Sequence, residues 1–258
     1  MIKLFRHIRQ QLLTENASYA KASAGTKFSK YLLYAIGEIV LVVIGILIAL
    51  QINNWNEKQK SDKKTQDYYV QLLDDLNSDI IFSKHNIAEY NDYIKQYDTY
   101  TNSYDKEVLK PKQVYEQISK LPLISAPLTF NTSTIESLQN SGDIGLIPSK
   151  IRNRLIDLRR LQNLTIKRFE DTDNGKNDIT QRLNPLIGST TLPKRLVNQP
   201  KIKEFLNIDE NMKELILVYE GIHRWKSISQ QESIGRLEEM LKEIDAIVAL
   251  INMEVKNN

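Results

Sequence analysis

The stretch that decides the fold is DYYVQLLDDLNSDIIFSKHNIAEYNDYIKQYDTYTNSY, residues 67–104. It contains neither Gly nor Pro, and its apolar residues recur in alternating steps of three and four, the spacing of a coiled-coil seam on one helix. Because so long a helix is not stable alone, the seam predicts packing against further helices. The predicted seam residues are Tyr69, Leu73, Leu76, Ile80, Ser83, Ile87, Tyr90, Ile94, Tyr97, Thr101 and Tyr104.

Two later segments carry matching apolar patterns. One predicted helix begins at Ser149, a good N-cap residue, and is stopped by Pro185. The other begins near Asp209, continues to Ile251, and has a polar middle at KSISQQES, residues 226–233. If the first long helix leaves a membrane, we expect the last two to run back and out again, or to pair with a second copy of the chain.

Shorter elements are expected between and after these helices. Helices are predicted at 111–120 and 132–140, the second closed by Gly142 in the left-handed conformation. Extended connectors are predicted at 121–130 and 143–148, and a loop at 186–200. The fold class predicted from the sequence is therefore all-α, a single transmembrane helix followed by an elongated antiparallel helical bundle over residues 53–258.

The predicted transmembrane helix lies in KFSKYLLYAIGEIVLVVIGILIALQINNW, residues 27–55. From residue 31 to 52 the chain is apolar except for Glu38 and offers roughly 33 Å of helix, against a hydrocarbon thickness of roughly 30 Å. A cleaved signal peptide is disfavoured because its apolar region would be shorter and would end in small residues. The segment therefore indicates an anchor whose partner is the lipid bilayer.

Charge gives the expected topology. The first 55 residues hold six Lys or Arg against two acidic residues, while the remainder holds 29 basic against 30 acidic residues. The basic excess before the span favours a cytoplasmic N-terminus in the inner membrane, with residues 53–258 exported to the periplasm. A nearly neutral remainder has no field to hold a polyanion, so nucleic acid is not expected as a partner.

The residues before the span divide into two parts. MIKLFRHIRQQLL, residues 1–13, has apolar residues on one helical face and basic residues on the others, which predicts a basic amphipathic helix over 1–16 lying on an anionic leaflet. An unstructured basic tail is the alternative. Small residues dominate 17–30, which predicts a flexible tether.

Three blocks carry a family resemblance: IRQQLLTEN at 8–16, KFSKYLLYAIGEIVLVVIGILIALQINNWNE at 27–57 and TSTIESLQNSGDIGLIPSKIRNRLIDL at 132–158. They resemble a bacterial single-pass membrane family, domain of unknown function 6090. The resemblance implies membrane residence and assigns no activity or site residues. Members of the family usually run from TEN directly into KFSKY, so residues 17–26 resemble an insertion.

The sequence contains only weak matches to catalytic motifs. Glu220 and His223 have the Glu-x-x-His spacing of di-metal bundles, but a second such motif is lacking, and a surface His beside a seam is the preferred interpretation. SDKK at 61–64 has Ser-x-x-Lys spacing without companion motifs and is interpreted as a solvated helix face. With no cysteine and no Gly-rich phosphate loop, we predict no catalytic, metal or cofactor site and no enzyme activity.

Two candidate interaction sites remain. The first is a ridge of mostly small residues in the span, on which a helix of a partner or a second copy would pack; its residues are Gly37, Glu38, Leu41, Gly45 and Ala49. Snorkelling of Glu38 to the headgroups is the alternative. The second is an aromatic stripe that forms either an ordinary bundle seam or a surface for a partner or small ligand; its residues are Tyr90, Tyr93, Tyr97, Tyr100 and Tyr104.

These observations predict a non-enzymatic, membrane-anchored helical protein that acts as an interaction or scaffold module with a protein partner or as a homodimer. The alternative is an exported ligand-sensing bundle. Because only about 30 residues precede the span, a sensor of this kind would have to act through a partner subunit.

Overall fold

A computed structural model describes residues 24–189 and 191–257. The predicted amphipathic helix at 1–16 and the first part of the predicted tether lie outside these residues. The described chain contains eight α-helices and no strand, which confirms the all-α fold. The helices are α1 (Ala24–Thr101), α2 (Pro111–Ile118), α3 (Ser133–Ser141), α4 (Ser149–Thr180), α5 (Leu183–Ile187), α6 (Leu192–Leu196), α7 (Pro200–Leu206) and α8 (Met212–Asn257).

The chain forms two compact units, Met1–Asp62 and Lys63–Asn258, whose boundary lies within α1. In the first unit the apolar side chains from Leu32 to Trp55 are exposed. The helix here is long and apolar enough to cross a membrane, so it is compatible with a membrane anchor. Residues 24–30, assigned to the tether by the sequence, are already helical.

The second unit is built on three long helical segments: residues 63–101 of α1, α4 and α8. Leu72, Leu155 and Ile244 share one buried cluster, whereas Tyr97 and Ile222 share another at the opposite end, against which Ile179 of α4 packs. Residue numbers therefore rise in the same direction along α1 and α4 and fall along α8. The expectation that α4 runs back along α1 is wrong, and only α8 is antiparallel to both.

The reason for this direction is a return connection formed by residues 106–148. After α1 ends, α2 packs in the same cluster as Tyr97, the segment 121–131 follows the bundle back, and α3 joins the cluster of Leu72. The chain thus regains its starting level before α4 begins. Gly142 ends α3 with φ +79°, as predicted.

Two shorter segments differ from prediction. Residues 143–146 form a 3-10 turn rather than an extended connector. The predicted loop at 186–200 includes α6. Asn207 ends α7 with φ +42°, a left-handed conformation that asparagine tolerates better than most residues do.

Two large groups of buried side chains form the ends of the bundle. The aliphatic cluster contains Tyr69, Leu72, Leu76, Ile135, Leu138, Ile147, Ile151, Leu155, Leu158, Met240, Ile244, Ile247 and Ile251. The tyrosine cluster contains Tyr93, Tyr97, Tyr100, Val114, Ile118, Leu121, Leu183, Leu215, Val218, Tyr219 and Ile222. A smaller group lies between them and contains Tyr90, Leu128, Phe169 and Leu237.

The seam of α1 is partly shifted from the predicted one. Alternate predicted positions, Tyr69, Leu76, Ser83, Tyr90 and Tyr97, are buried as expected. The positions between them lie one residue earlier than predicted, at Leu72, Asp79, Asn86, Tyr93 and Tyr100. The apolar residues chosen from the sequence, such as Ile80 and Ile87, are only half-buried and pack at the edge.

Candidate functional site

The candidate site is a polar layer inside the bundle, between and alongside the two large clusters. It is defined by the buried side chains of Asp79, Ser83, Asn86, Gln162, Thr165, Lys176, His223, Lys226, Ser227, Ser229, Gln230 and Ser233. A buried polar group without a hydrogen bond destabilises a fold by about 1–3 kcal/mol. The partners of these groups therefore indicate what the layer does.

Asp79 marks the end of the layer nearest the aliphatic cluster. Its carboxylate accepts hydrogen bonds from the backbone N–H of Asn131 and from Nε2 of Gln162, each at 2.8 Å. The pKa of Asp79 is raised to about 6; burial is the main cause, Asp75 acts in the same direction, and the two hydrogen bonds oppose the change. Asp79 thus links α1 to α4 and holds the end of the return connection.

His223 lies at the other end, and the interpretation of it as a surface residue is wrong. Its side chain is 0% exposed, and Nδ1 forms a hydrogen bond of 2.9 Å with the hydroxyl of Tyr93. The pKa of His223 is lowered to about 4; burial is the main cause, the nearby charge of Lys226 acts in the same direction, and the backbone of Ile118 acts in the opposite direction. The imidazole is therefore neutral at physiological pH.

Aromatic rings surround this imidazole. The rings of Tyr93, Tyr97 and Tyr219 each lie with their centroids 6.1 Å from that of His223, and the ring of Tyr219 is within 10° of parallel to it. Burial raises the pKa of all three tyrosines, so their hydroxyls stay protonated. The three rings therefore form an aromatic box around a neutral histidine.

Lys226 is one helical turn after His223 and is also buried. Its Nζ donates to the carbonyls of Pro122 at 2.7 Å and Ile124 at 2.9 Å, and lies 4.3 Å from the ring centroid of Tyr93. The pKa of Lys226 is lowered to about 8; burial is the main cause, the charge of Lys176 acts in the same direction, and the carboxylates of Asp173 and Glu89 oppose the change. A buried ammonium group therefore fixes the return connection at two carbonyls, those of Pro122 and Ile124.

Lys176 holds the same connection from α4. Its Nζ pairs with Asp173 at 2.6 Å and donates to the hydroxyl of Ser125 at 3.1 Å. Two buried lysines from different helices thus contact a segment of four residues, 122–125. Neither lysine belongs to an apolar pattern, so sequence reasoning based on apolar periodicity missed both.

The aromatic stripe forms an internal seam rather than an exposed surface. Tyr90, Tyr93, Tyr97 and Tyr100 are buried, and only Tyr104 is substantially exposed, at 48%. The Tyr100 hydroxyl donates to Glu220 and is 2.8 Å from that of Tyr104. Burial and these hydrogen bonds raise the pKa of Tyr100. The stripe packs on α8 because its spacing continues the seam of α1.

Five buried polar atoms of the described residues form no hydrogen bond of ordinary geometry: Ser83 Oγ, Tyr90 Oη, Gln162 Oε1, His223 Nε2 and Gln230 Oε1. All lie on the three long helices. Such atoms are uncommon in folded proteins. They make the polar layer and its surroundings the least satisfied part of the described interior.

The Glu-x-x-His pair is divided between two environments. His223 faces the aromatic box, whereas Glu220 accepts from Tyr100 near the surface. Across the described residues, no three His, Cys, Asp or Glu side chains come together in a way that would hold a metal ion. The pair therefore works in two separate hydrogen bonds.

The other sequence motifs have simple surroundings. Lys64 of SDKK pairs with Asp143 at 2.7 Å, and Tyr68 donates to the same carboxylate. The hydrogen bond from Lys64, followed by those from Ser141 and Tyr68, lowers the pKa of Asp143 to about 2. The small-residue ridge in the first unit is exposed, and a Cβ added at Gly37 or Gly45 would meet nothing within 4 Å.

A strict heptad rule would have found much of the layer. On α8 the steps of three and four continue from Ile222 to Leu237 only if Lys226, Gln230 and Ser233 are included. On α1 they continue from Leu76 to Tyr90 through Asp79, Ser83 and Asn86. The position of a residue in the repeat, rather than its polarity, was the useful signal.

Fold and site together define an all-α protein with a long apolar N-terminal helix and a bundle fastened by buried polar groups. The chain belongs to the family described as a family of unknown function (DUF6090), whose model matches residues 38–179, more than half of the 258 residues. The matched region ends at the last turn of α4 and does not include α8. Comparison with curated proteins and with solved structures gave no match.

Proposed function

We propose that this protein is a non-enzymatic, membrane-anchored interaction module, whose bundle serves as a scaffold for a protein partner or a second copy of the chain. The observation that carries the proposal is the commitment of the buried polar groups to the chain's own return connection. Lys226, Lys176 and Asp79 each hold part of residues 122–131.

This commitment argues against chemistry inside the bundle. A catalytic acid, base or nucleophile must reach its substrate, but the ammonium groups and the imidazole described above are buried and occupied by internal contacts. What the bundle offers to other molecules is its surface. A rigid surface on a membrane anchor is suited to holding a partner in place.

The proposed location is the inner membrane, with residues 1–30 in the cytoplasm and the bundle in the periplasm. Because the chain has no cysteine, single cysteines report location without background. Val108→Cys, at a side chain that is 100% exposed, should react with a membrane-impermeant maleimide in intact spheroplasts. Ser18→Cys, the matched reporter before the span, should react only after permeabilisation. The opposite pattern would overturn the topology.

The scaffold role is tested in the membrane with the full chain. A photo-crosslinking residue placed at exposed positions of the bundle, such as Ile81 and Ile124, should give discrete adducts with one protein or with a second copy. The same residue at buried Leu158 is the matched control and should give none to other chains. A chain that gives only diffuse adducts at every exposed position contradicts the proposal.

The small-residue ridge of the span is proposed as the contact between anchors. If Gly37, Gly45 and Ala49 allow a second helix to approach closely, a Gly45→Ile, Glu38→Gln variant should lose crosslinks between copies or between the chain and its membrane partner. A Val43→Ile variant changes side-chain volume without altering the ridge and serves as the control. Equal association of both variants would remove the ridge from the proposal.

A second candidate is an exported ligand-sensing bundle that acts through a partner subunit. The unpaired Ser83 Oγ, Tyr90 Oη and Gln230 Oε1 favour it, because a small polar ligand would give them hydrogen-bond partners. A sensor should melt at a higher temperature with its ligand than without it. If a library of small polar metabolites leaves the melting temperature of the full chain unchanged while crosslinks to a protein persist, scaffolding is favoured over sensing.

A further inference from the structure

We propose that the segment 192–207, which includes α6 and α7 and is called the tip segment below, is a docking surface for an anionic lipid bilayer. The inference deepens the proposed function, since it names one partner of the scaffold. It rests on three observations: the geometry of α7, the charge of the segment and the way in which the segment is attached to the bundle.

The geometry of α7 is that of a short interfacial helix. At about 100° per residue, Ile202, Phe205 and Leu206 lie on one side of α7. All three are exposed, Phe205 to 87%. Lys201 and Lys203 project on either side of this apolar face, and the single acidic residue of α7, Glu204, lies nearly opposite it. Long lysine side chains beside an apolar face can place their ammonium groups among headgroups while the face enters the acyl boundary.

The charge of the tip segment differs from that of the rest of its unit. The segment carries four basic residues and one acidic residue, whereas the rest of residues 63–258 carries 23 basic and 27 acidic residues. The basic residues are Lys194, Arg195, Lys201 and Lys203. A local positive charge interleaved with exposed apolar side chains is complementary to a bilayer, which has an anionic surface and an apolar interior. A protein surface rich in carboxylates would match the charge but not the apolar side chains.

The tip segment is attached so that its apolar face points outward. Leu196 is buried and fixes α6, while the next residue, Val197, is 74% exposed. Asn211 donates to the carbonyl of Leu186 at 3.0 Å and so joins the residues on either side of the segment, while Arg195 donates to Ser189, just before the segment, at 2.8 Å. These contacts fix the base of the segment. The remaining apolar side chains are left for another surface.

The test uses the full chain, held in nanodiscs of phosphatidylcholine and mixed with larger vesicles that either contain or lack phosphatidylglycerol. Co-flotation measures the binding of the nanodiscs to the vesicles. Because the basic residues before the span also attract anionic lipid, the deciding comparison is between variants. The variants are Lys201→Glu/Lys203→Glu and Phe205→Ser, and the control Lys84→Glu/Lys167→Glu reverses two exposed lysines elsewhere in the bundle.

We expect wild-type chain to bind vesicles containing phosphatidylglycerol and both tip variants to bind about tenfold more weakly. The control variant should stay within about twofold of wild type, and all variants should keep the wild-type melting temperature because the substituted side chains are exposed. Equal binding of wild type and tip variants, or equal binding to both kinds of vesicle, overturns the proposal. Such a result leaves the crosslinking test of the scaffold untouched, so that the two proposals fail separately.

Discussion

The aliphatic cluster and the polar layer occupy the same three helices and follow the same spacing of three and four residues, yet they stabilise the bundle in different ways. Leu72, Leu155 and Ile244 are fully buried carbon side chains, each worth about 1.5–3 kcal/mol through removal of apolar surface from water. The hydrogen bonds of Asp79 and Lys226 must first offset the cost of burying an ionisable group, so their net contribution is smaller. The comparison shows that one region supplies most of the stability, while the other determines which segment packs where.

The two regions act differently because apolar burial and hydrogen bonding depend on geometry to different degrees. Apolar burial depends on area and tolerates small shifts of one helix against another. A hydrogen bond requires donor and acceptor within about 3 Å and in line. Residues 122–125 include Pro122 and have no regular secondary structure, so Lys226 and Lys176 supply hydrogen bonds to three of these four residues that a helix would otherwise provide.

The largest expected effect is in the aliphatic cluster. Leu155→Ala removes a fully buried side chain, and we expect the free energy of unfolding to fall by about 3 kcal/mol through lost burial and the cavity left behind. Chemical unfolding of the full chain in detergent, followed by circular dichroism, measures it. The matched control Leu217→Ala, on the exposed face of α8, should change stability by less than about 0.5 kcal/mol. Equal effects of the two would contradict the assigned core.

The second effect depends on pH and separates the two ends of the polar layer. Because the pKa of Asp79 is about 6 in the folded chain and 3.8 ordinarily, the folded state binds this proton more tightly than the unfolded state does. The contribution of Asp79 to stability is greatest below pH 4 and declines as the pH rises through 6. Relative to Asp79→Asn, the wild type should therefore lose about 2 kcal/mol between pH 4 and 7.

His223 has the opposite dependence. Its pKa of about 4 lies below the ordinary 6.5, so its contribution is present above pH 6.5 and is lost as the pH falls toward 4. The Asp79→Asn variant should retain this loss in acid, which provides an internal control for the measurement. A constant stability difference between wild type and Asp79→Asn from pH 4 to 7 would show that Asp79 is not buried as described.

The smallest effect tests a single hydrogen bond of the layer. Tyr93→Phe removes the hydroxyl bonded to His223 Nδ1 and leaves that nitrogen buried without its partner, so we expect a loss of about 1 kcal/mol. Thermal unfolding of the full chain measures the change. Tyr104→Phe, which removes a hydroxyl from a side chain that is 48% exposed, is the control and should have a smaller effect. A larger effect of Tyr104→Phe than of Tyr93→Phe would contradict the assigned hydrogen bond between Tyr93 and His223.

The sequence predicted the apolar parts of the fold well, because apolar periodicity depends on local spacing alone. Eight positions are expected in the seam that begins on α4, and all but the half-buried Ile179 are buried: Ile151, Leu155, Leu158, Gln162, Thr165, Phe169 and Leu183. Nine are expected on α8, and all but the half-buried Met212 are buried: Leu215, Tyr219, Ile222, Leu237, Met240, Ile244, Ile247 and Ile251. The long helix α1 was also expected, since no Gly or Pro interrupts residues 67–104.

The polar layer was largely missed because its partners are distant in sequence. Asp79 and the N–H of Asn131 are 52 residues apart, and Lys226 and the carbonyl of Pro122 are 104 residues apart. No local spacing reports such a contact. The predicted direction of α4 was wrong for the same reason, because the direction depends on how residues 106–148 run along the bundle.

The contribution of α8 to every part of the interior also determines when the bundle can assemble. Its 46 residues, Met212–Asn257, are the last described part of the chain and supply Ile244 to one cluster, Ile222 to the other, and Lys226 to the layer between them. While the chain is being synthesised, α1 and α4 can pair but leave their seams without a third helix. The bundle therefore closes only after α8 has been synthesised, so that the two clusters and the polar layer gain their last helix together.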